Sequence, residues 1–339
     1  MEPTLARIYL DHAATTPMRP EAVAAVNEGM ARWANPSSPH AEGRAARAAL
    51  EGARKRIAQA LDWPHHVILT SGASESAALA LRGRPGVGVA AVEHDAVLRA
   101  AEQPVMLEVD AGGIVQGDAV ALQSANSETG VIQTRPTGFW IADCSQTAGK
   151  LPLPDADLII VSAHKLGGPP GIGALFVRDL GLLDPTGGQE RGYRGGTENL
   201  PGALGLAAAL EAPRDWFAGT AELRATLDAA ILAGGGEIVA RHSPRVPTIA
   251  SYRMPGVSSA AQLIRLDMSG FAVSAGSACS SGSMRPSHVL AAMGYSPEAA
   301  AEVVRVSFGW TTTADDVAKF AEAWTRIAAD IKRPTRLGA

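Results

Sequence analysis

Short, almost wholly apolar runs recur through the first half of the chain, and several close on a small or polar residue that opens a helix-like stretch. Residues 67–70 give way to Ser71-Gly72 and then to the helix-forming composition of residues 74–81. Segments 87–92, 140–143, 158–162 and 174–177 are of the same kind. A strand that is apolar on both faces needs cover on both, so the pattern predicts an α/β protein with a mainly parallel sheet between helices. With 339 residues, 46% of them hydrophobic and 19% charged, the chain is large enough for two lobes. Residues 204–232 read as mostly helical with a break near Pro213, and alternating segments follow at 249–253, 271–274 and 303–308. A lobe boundary is expected near residue 217.

The net charge of −4 and the absence of like-charge blocks demand neither a nucleic acid nor an anionic membrane as partner. Two cysteines, Cys144 and Cys279, are too few for a disulfide framework. The first ten residues contain no apolar leader segment, and no run approaches the roughly 18–20 residues that span a bilayer. A reducing cytoplasm is therefore the expected setting, one in which a lone thiol stays usable.

Several common motifs fail. Gly86-Val-Gly88 lacks the third glycine of a dinucleotide fingerprint, and Gly149-Lys150 is no phosphate loop. His65-His66 has no partner at ligand spacing, so no metal site is expected.

Other residues carry chemistry. Lys165 closes the run Ser162-Ala-His164-Lys165 and precedes the glycine-rich stretch 167–173. A lysine at such a strand end is either an ordinary surface residue or, if desolvated, a group suited to Schiff-base formation. Asp143 ends another apolar run with Gln146 three residues on. Its carboxylate suits a helix cap or the ring nitrogen of pyridoxal phosphate equally well. The passage Thr70-Ser-Gly-Ala-Ser-Glu75 leads from strand to helix, where free N–H groups can bind a phosphate. Cys279 sits among small Ser, Ala and Gly residues, which argues against burial and for a loop carrying a reactive group. Cys144 directly follows Asp143 and is expected to point into the core.

Taken together, Tyr9-Leu-Asp-His-Ala-Ala-Thr-Thr-Pro17, Asn35-Pro-Ser-Ser38, Thr70-Ser-Gly-Ala-Ser-Glu-Ser76, Glu93-His94, Asp143-Cys-Ser-Gln146, Ser162-Ala-His-Lys165, Arg194-Gly-Gly-Thr197, Ser277-Ala-Cys279 and Arg305-Val-Ser307 resemble the cysteine desulfurases of the class V pyridoxal-phosphate aminotransferase group, in the NifS/IscS-like branch. The resemblance implies a fold-type I transferase. Its large domain, residues 15–217, would hold a mainly parallel seven-stranded sheet. A smaller α+β domain, residues 1–14 and 218–339, would carry the cysteine loop.

It also implies roles. Lys165 would hold the cofactor and move the Cα proton, Asp143 would pair with the ring nitrogen, and Gln146 and Asn126 would contact the ring oxygen. Ala73, Ser74, Ser162 and His164 would hold the phosphate, with Thr197 supplied by the partner of a homodimer. His94 would stack on the ring as an acid or base, and Arg305 with Asn35 would grip the carboxylate of L-cysteine. Cys279 would take the sulfur as a persulfide and hand it to an acceptor such as an iron–sulfur scaffold. A selenocysteine lyase, a β-lyase, a small-substrate aminotransferase or a catalytically silent subunit are the alternatives. Three features depart from the family pattern: Ser127 stands where a second asparagine is usual, only six residues separate Gln133 from Trp140, and little follows the last predicted helix.

Overall fold

The computed structural model describes residues 7–118, 120–276 and 287–332. Its largest sheet runs in the order His66–Thr70, Gly173–Val177, Leu158–Ser162 and Ile141–Asp143. Parallel bridges through Ala121 join Ile141 to Val89, which extends the sheet to Gly88–Ala90 and Val105–Leu107. Seven strand positions result, and only Gly173–Val177 runs antiparallel to its neighbours. The mainly parallel sheet expected from the apolar runs is therefore present.

Both faces of this sheet are covered. On one, Ile159, Val161 and Phe176 pack with Leu50, Ile57 and Leu206. On the other, Ile68, Ile160 and Leu175 pack with Leu81 and Val97. Burying each such side chain stabilises the fold by about 1.5–3 kcal/mol. Helix Leu200–Glu211 is buried almost all round and starts under an Asn199 cap, whose Oδ1 accepts from Gly202 N at 2.9 Å. A side chain at Gly205 would strike Val26, so the small residue permits close helix packing there. The long helical stretch expected over 204–232 is two helices, Leu200–Glu211 and Thr220–Ala233. Pro213 lies in the break, where its missing N–H and fixed φ cannot continue a helix.

A second, antiparallel sheet orders Val303–Ser307, Ile249–Arg253 and Glu237–Ile238. Its core gathers Leu227, Ile231, Tyr252, Phe320 and Trp324, with Leu10 from the opposite end of the chain. The N-terminal strand Ile8–Tyr9 pairs in parallel with Phe271–Ala272, and Asp11 bridges to Ser307. Residues 10–16 thus pass from the second sheet to the large one. Among the described residues no helix is long and apolar enough to cross a membrane.

Candidate active site

Parallel strands deliver their carboxyl ends to one edge of a sheet, and ligands bind in the crevice beyond that edge. Here the register aligns Asp143 with Ile160 and sets Ser162 and Thr70 against Gly173. Directly after Ser162 the turn Ala163–Lys165 lifts Lys165 out of the sheet. Lys165 Nζ donates to the carbonyls of Ala13 and Ala14, each at 2.7 Å. The two segments clasp each other further through Thr16 N to His164 O at 2.8 Å. Burial pushes the Lys165 ammonium down to about 8, helped by the charge of Arg305 and opposed by Asp143 and Asp11. A substantial neutral fraction at physiological pH makes it a competent nucleophile and base.

A cleft of ≈ 380 Å³ opens in front of this lysine, lined by Ser74, His94, Asp143, Gln146, Ser162 and His164 among others. Asp143 Oδ1 accepts from Ser145 N at 2.8 Å. Gln146 donates to Ala13 O at 3.0 Å, and its buried Oε1 has no partner. Helix Ala73–Leu81 begins on the rim of the cleft. Gly72 there has φ 151°, a conformation that favours glycine, and a side chain on it would meet no atom within 4 Å. Glu75 braces this end of the helix, accepting from Ser71 N at 2.5 Å and from Arg194 Nε at 2.9 Å. His164 sits close by, with Nδ1 3.2 Å from Thr15 Oγ1. Burial and the charge of Lys165 push its ring down to about 4, so it is neutral at pH 7.

An adjoining cleft of ≈ 560 Å³ shares Ser74, His94, Ser127 and Lys165 and adds Arg305. Arg305 donates through Nη2 to Asp11 Oδ1 at 2.8 Å and through Nη1 to Ser127 O at 3.0 Å. Its Nε is buried without a partner. His94 Nδ1 accepts from Ala96 N at 3.1 Å and caps helix Asp95–Ala100, which leaves Nε2 as the nitrogen able to serve a substrate. Burial lowers its pKa, with Lys165 and His288 adding to the effect. Glu93 beneath it is fully buried, and burial pushes its carboxyl up to about 8.

Ala73, Ser74, His94, Asp143, Gln146, Ser162, His164 and Lys165 thus share one cleft, with Arg305 in the next. Asn126 does not join them. Its Oδ1 accepts from Glu128 N, Thr129 N and Thr129 Oγ1, and its Nδ2 donates to Val92 O at 3.0 Å. The amide is spent on the turn, and the neighbouring Ser127 faces both clefts instead. Asn35 and Thr197 are exposed and line neither cleft of their own chain. Cys279 lies outside the described residues. Cys144 is buried, and burial pushes its thiol up to about 12, as expected of a core cysteine. Sequence reasoning missed the carbonyls of Ala13 and Ala14, the carboxylate of Asp11 and the lining residue Gln123. The first three belong to a quoted motif, but nothing local says that they meet residues some 150 or 300 positions away.

The aminotransferase class-V family profile matches residues 8–108 and 116–320. The chain belongs to that family of enzymes. Within it, the chain stands with the cysteine desulfurases. It is 33% identical to cysteine desulfurase IscS of Dictyoglomus turgidum, over 91% of each chain. It is 35% identical to an IscS-like cysteine desulfurase of Mycobacterium tuberculosis, over 91% of this chain and 93% of that one. Among solved structures, a NifS-like protein superposes with a TM-score of 0.83 at 27% identity, covering 96% of this chain and all of the other. A structure of SspA in complex with cysteine superposes with a TM-score of 0.75 at 27% identity, over 89% of this chain and 98% of that one.

Proposed function

We propose that the protein is a pyridoxal-phosphate-dependent cysteine desulfurase that moves the sulfur of L-cysteine onto Cys279. The observation that carries the reading is Lys165, its pKa depressed to about 8, sharing one cleft with Asp143 and an adjoining one with Arg305. The relatives are named cysteine desulfurases, and one structural neighbour is described with cysteine bound.

The donor set fits the cofactor. Gln146 has a buried acceptor without a partner, and a glycine with open space before it stands at the start of a helix. Pyridoxal phosphate, when bound, supplies an electron sink for negative charge developing at the substrate Cα. Asp143 would hold the ring nitrogen and Gln146 would accept from the ring hydroxyl. The N–H groups of Ala73 and Ser74, with Ser162 and a neutral His164, would hold the phosphate. Ser127, which lines that cleft, would touch the cofactor from this segment in place of Asn126.

Lys165 would take the proton from the substrate Cα. Arg305, fixed by Asp11, would bind the substrate carboxylate, for which a guanidinium fork is well shaped. The Cys279 thiolate would then attack the substrate sulfur. The Cβ–S bond breaks, its electron pair stays with carbon, and carbon takes up a proton. Cysteine plus thiol becomes alanine plus persulfide, and no outside oxidant is needed.

A homodimer belongs to the same proposal. Thr197 is exposed and away from its own cleft, as a residue serving a partner's cleft would be. Met30 and Trp33, a few residues before Asn35 in the chain, are 67% and 80% exposed, and a second copy would cover such large apolar side chains. The division into residues 15–217 on one side and 1–14 with 218–339 on the other is also part of this reading. So are a reducing cytoplasmic setting and delivery of the sulfur to an iron–sulfur scaffold or another acceptor protein.

Incubation with L-cysteine and a reductant tests the reading. Alanine and sulfide are expected in equal amounts, both lost in Cys279→Ala, which keeps the cofactor's visible absorbance. Pyruvate and ammonia in place of alanine would indicate a β-lyase. Full sulfide release by Cys279→Ala would overturn the persulfide step.

A further inference from the structure

Lys165 also borders a third, much smaller cavity of ≈ 20 Å³, room for a single particle about the size of a water. Three more cations line it, Arg19, Lys150 and Arg214, and no carboxylate does. Two of its donors are unusual. Arg19 is only 9% exposed and its Nε is buried without a partner, although Nη2 donates to Pro213 O at 2.8 Å. Trp216 Nε1 is likewise buried without a partner. Leaving charged or aromatic N–H groups unpaired in the interior is costly, so a site with two of them calls for an acceptor.

The remaining groups decide which acceptor. The guanidinium of Arg19 lies 5.2 Å from the ring centre of Trp310, which fixes one of its faces. Lys150 Nζ donates to Gln146 O at 2.9 Å, and Arg214 Nη2 donates to the carbonyls of Ala60 and Leu210. Among the lining side chains the Thr16 hydroxyl supplies the only oxygen, and it already donates toward His12 O or Lys165 O at 3.2 Å. Four cationic side chains line the cavity and no carboxylate does, so an anion matches the charge of the lining as a neutral water does not.

We propose that this cavity is a binding site for one small monovalent anion of halide size, held by the Arg19 guanidinium, the Lys150 ammonium and the Trp216 indole. The anion offsets a concentration of positive charge that the protein itself leaves unmatched. Burial and the charge of Lys165 otherwise hold Lys150 down to about 8. Glu21, which acts on Arg19 from outside, is exposed and does not reach the lining.

Crystals of the cofactor-loaded protein grown with sodium bromide, with data collected at the bromine edge, give the direct test. An anomalous peak within hydrogen-bond reach of Arg19 Nε and Trp216 Nε1 is expected. A water or nothing at that position would overturn the assignment. In solution, replacing gluconate by bromide at constant ionic strength should raise Tm by about 2 °C if the ion is some ten-fold above its Kd. Trp216→Phe, which keeps an aromatic ring and removes the donor, and Lys150→Met should each lose that rise. If both variants keep it, the stabilisation comes from elsewhere and the site falls.

Discussion

Arg305 and Lys165 border the same cleft, yet Arg305 is tied to the carboxylate of Asp11 while Lys165 is held by two peptide carbonyls. Both anchors come from one short stretch, residues 11–14, so the difference is one of chemistry and not of place. A carboxylate partner keeps a cation charged and fixed in orientation. Neutral carbonyls orient an ammonium without much favouring its charge, and burial beside another cation then lowers its pKa. The arginine is thus set to recognise an anion and the lysine to exchange a proton.

Removing the lysine should break this pairing most severely. Lys165→Ala is expected to cut alanine formation by more than about 10³-fold, because nucleophile and base go together. Loss of the visible band of the bound cofactor would accompany it. Retention of even a tenth of the turnover would show that another residue does this work.

Arg305→Gln is expected to have a smaller effect, raising KM for L-cysteine by about 10- to 100-fold, the scale of one charge-assisted hydrogen-bonding group. It should also raise the pKa of Lys165 in the cofactor-free protein, since the repulsion between them is gone. An unchanged or lower Lys165 pKa, read by NMR of the lysine side chain, would show that Arg305 is not a source of the depression.

The smallest effect concerns stability. An unfolded lysine keeps its proton up to about 10.5, whereas folded Lys165 and Lys150 lose theirs near 8. Between these values the unfolded chain binds more protons, so stability rises with pH across roughly 8 to 10.5. Below pH 8 the cost of burying both charges is fully present. The urea midpoint of the cofactor-free protein should climb through that window, and Lys165→Met should flatten the climb. A slope identical to the wild type's would mean that Lys165 titrates normally.

The fold was largely legible. Apolar runs such as 158–162 announce buried strands because a two-sided hydrophobic strand has few other places to go, and the motifs in order placed Lys165, Asp143 and Arg305 near one another. The break between Leu200–Glu211 and Thr220–Ala233 was signalled by Pro213, although the first helix starts at Leu200, four residues before the expected 204. Asn126 does not line the cleft beside the other motif residues, because a motif names neighbours in sequence but not the direction in which each side chain points. At a tight turn, adjacent residues face opposite ways, and the backbone N–H groups of Glu128 and Thr129 claimed the amide.

What the sequence determined by itself was the inventory: which strands are buried, which lysine ends a strand, which carboxylate ends another, and that one of the two thiols sits among small residues. These follow from short-range properties of the chain, namely side-chain polarity, period and turn chemistry. Only the tertiary structure decided what each group faces. Lys165 owes its two carbonyls to residues 13 and 14, Arg305 owes its counter-ion to residue 11, and Arg19 and Trp216, each with a partnerless buried donor, line one cavity. Such pairings depend on long-range packing. Proximity and desolvation set the acidity of a group, and neither is a property of its neighbours along the chain.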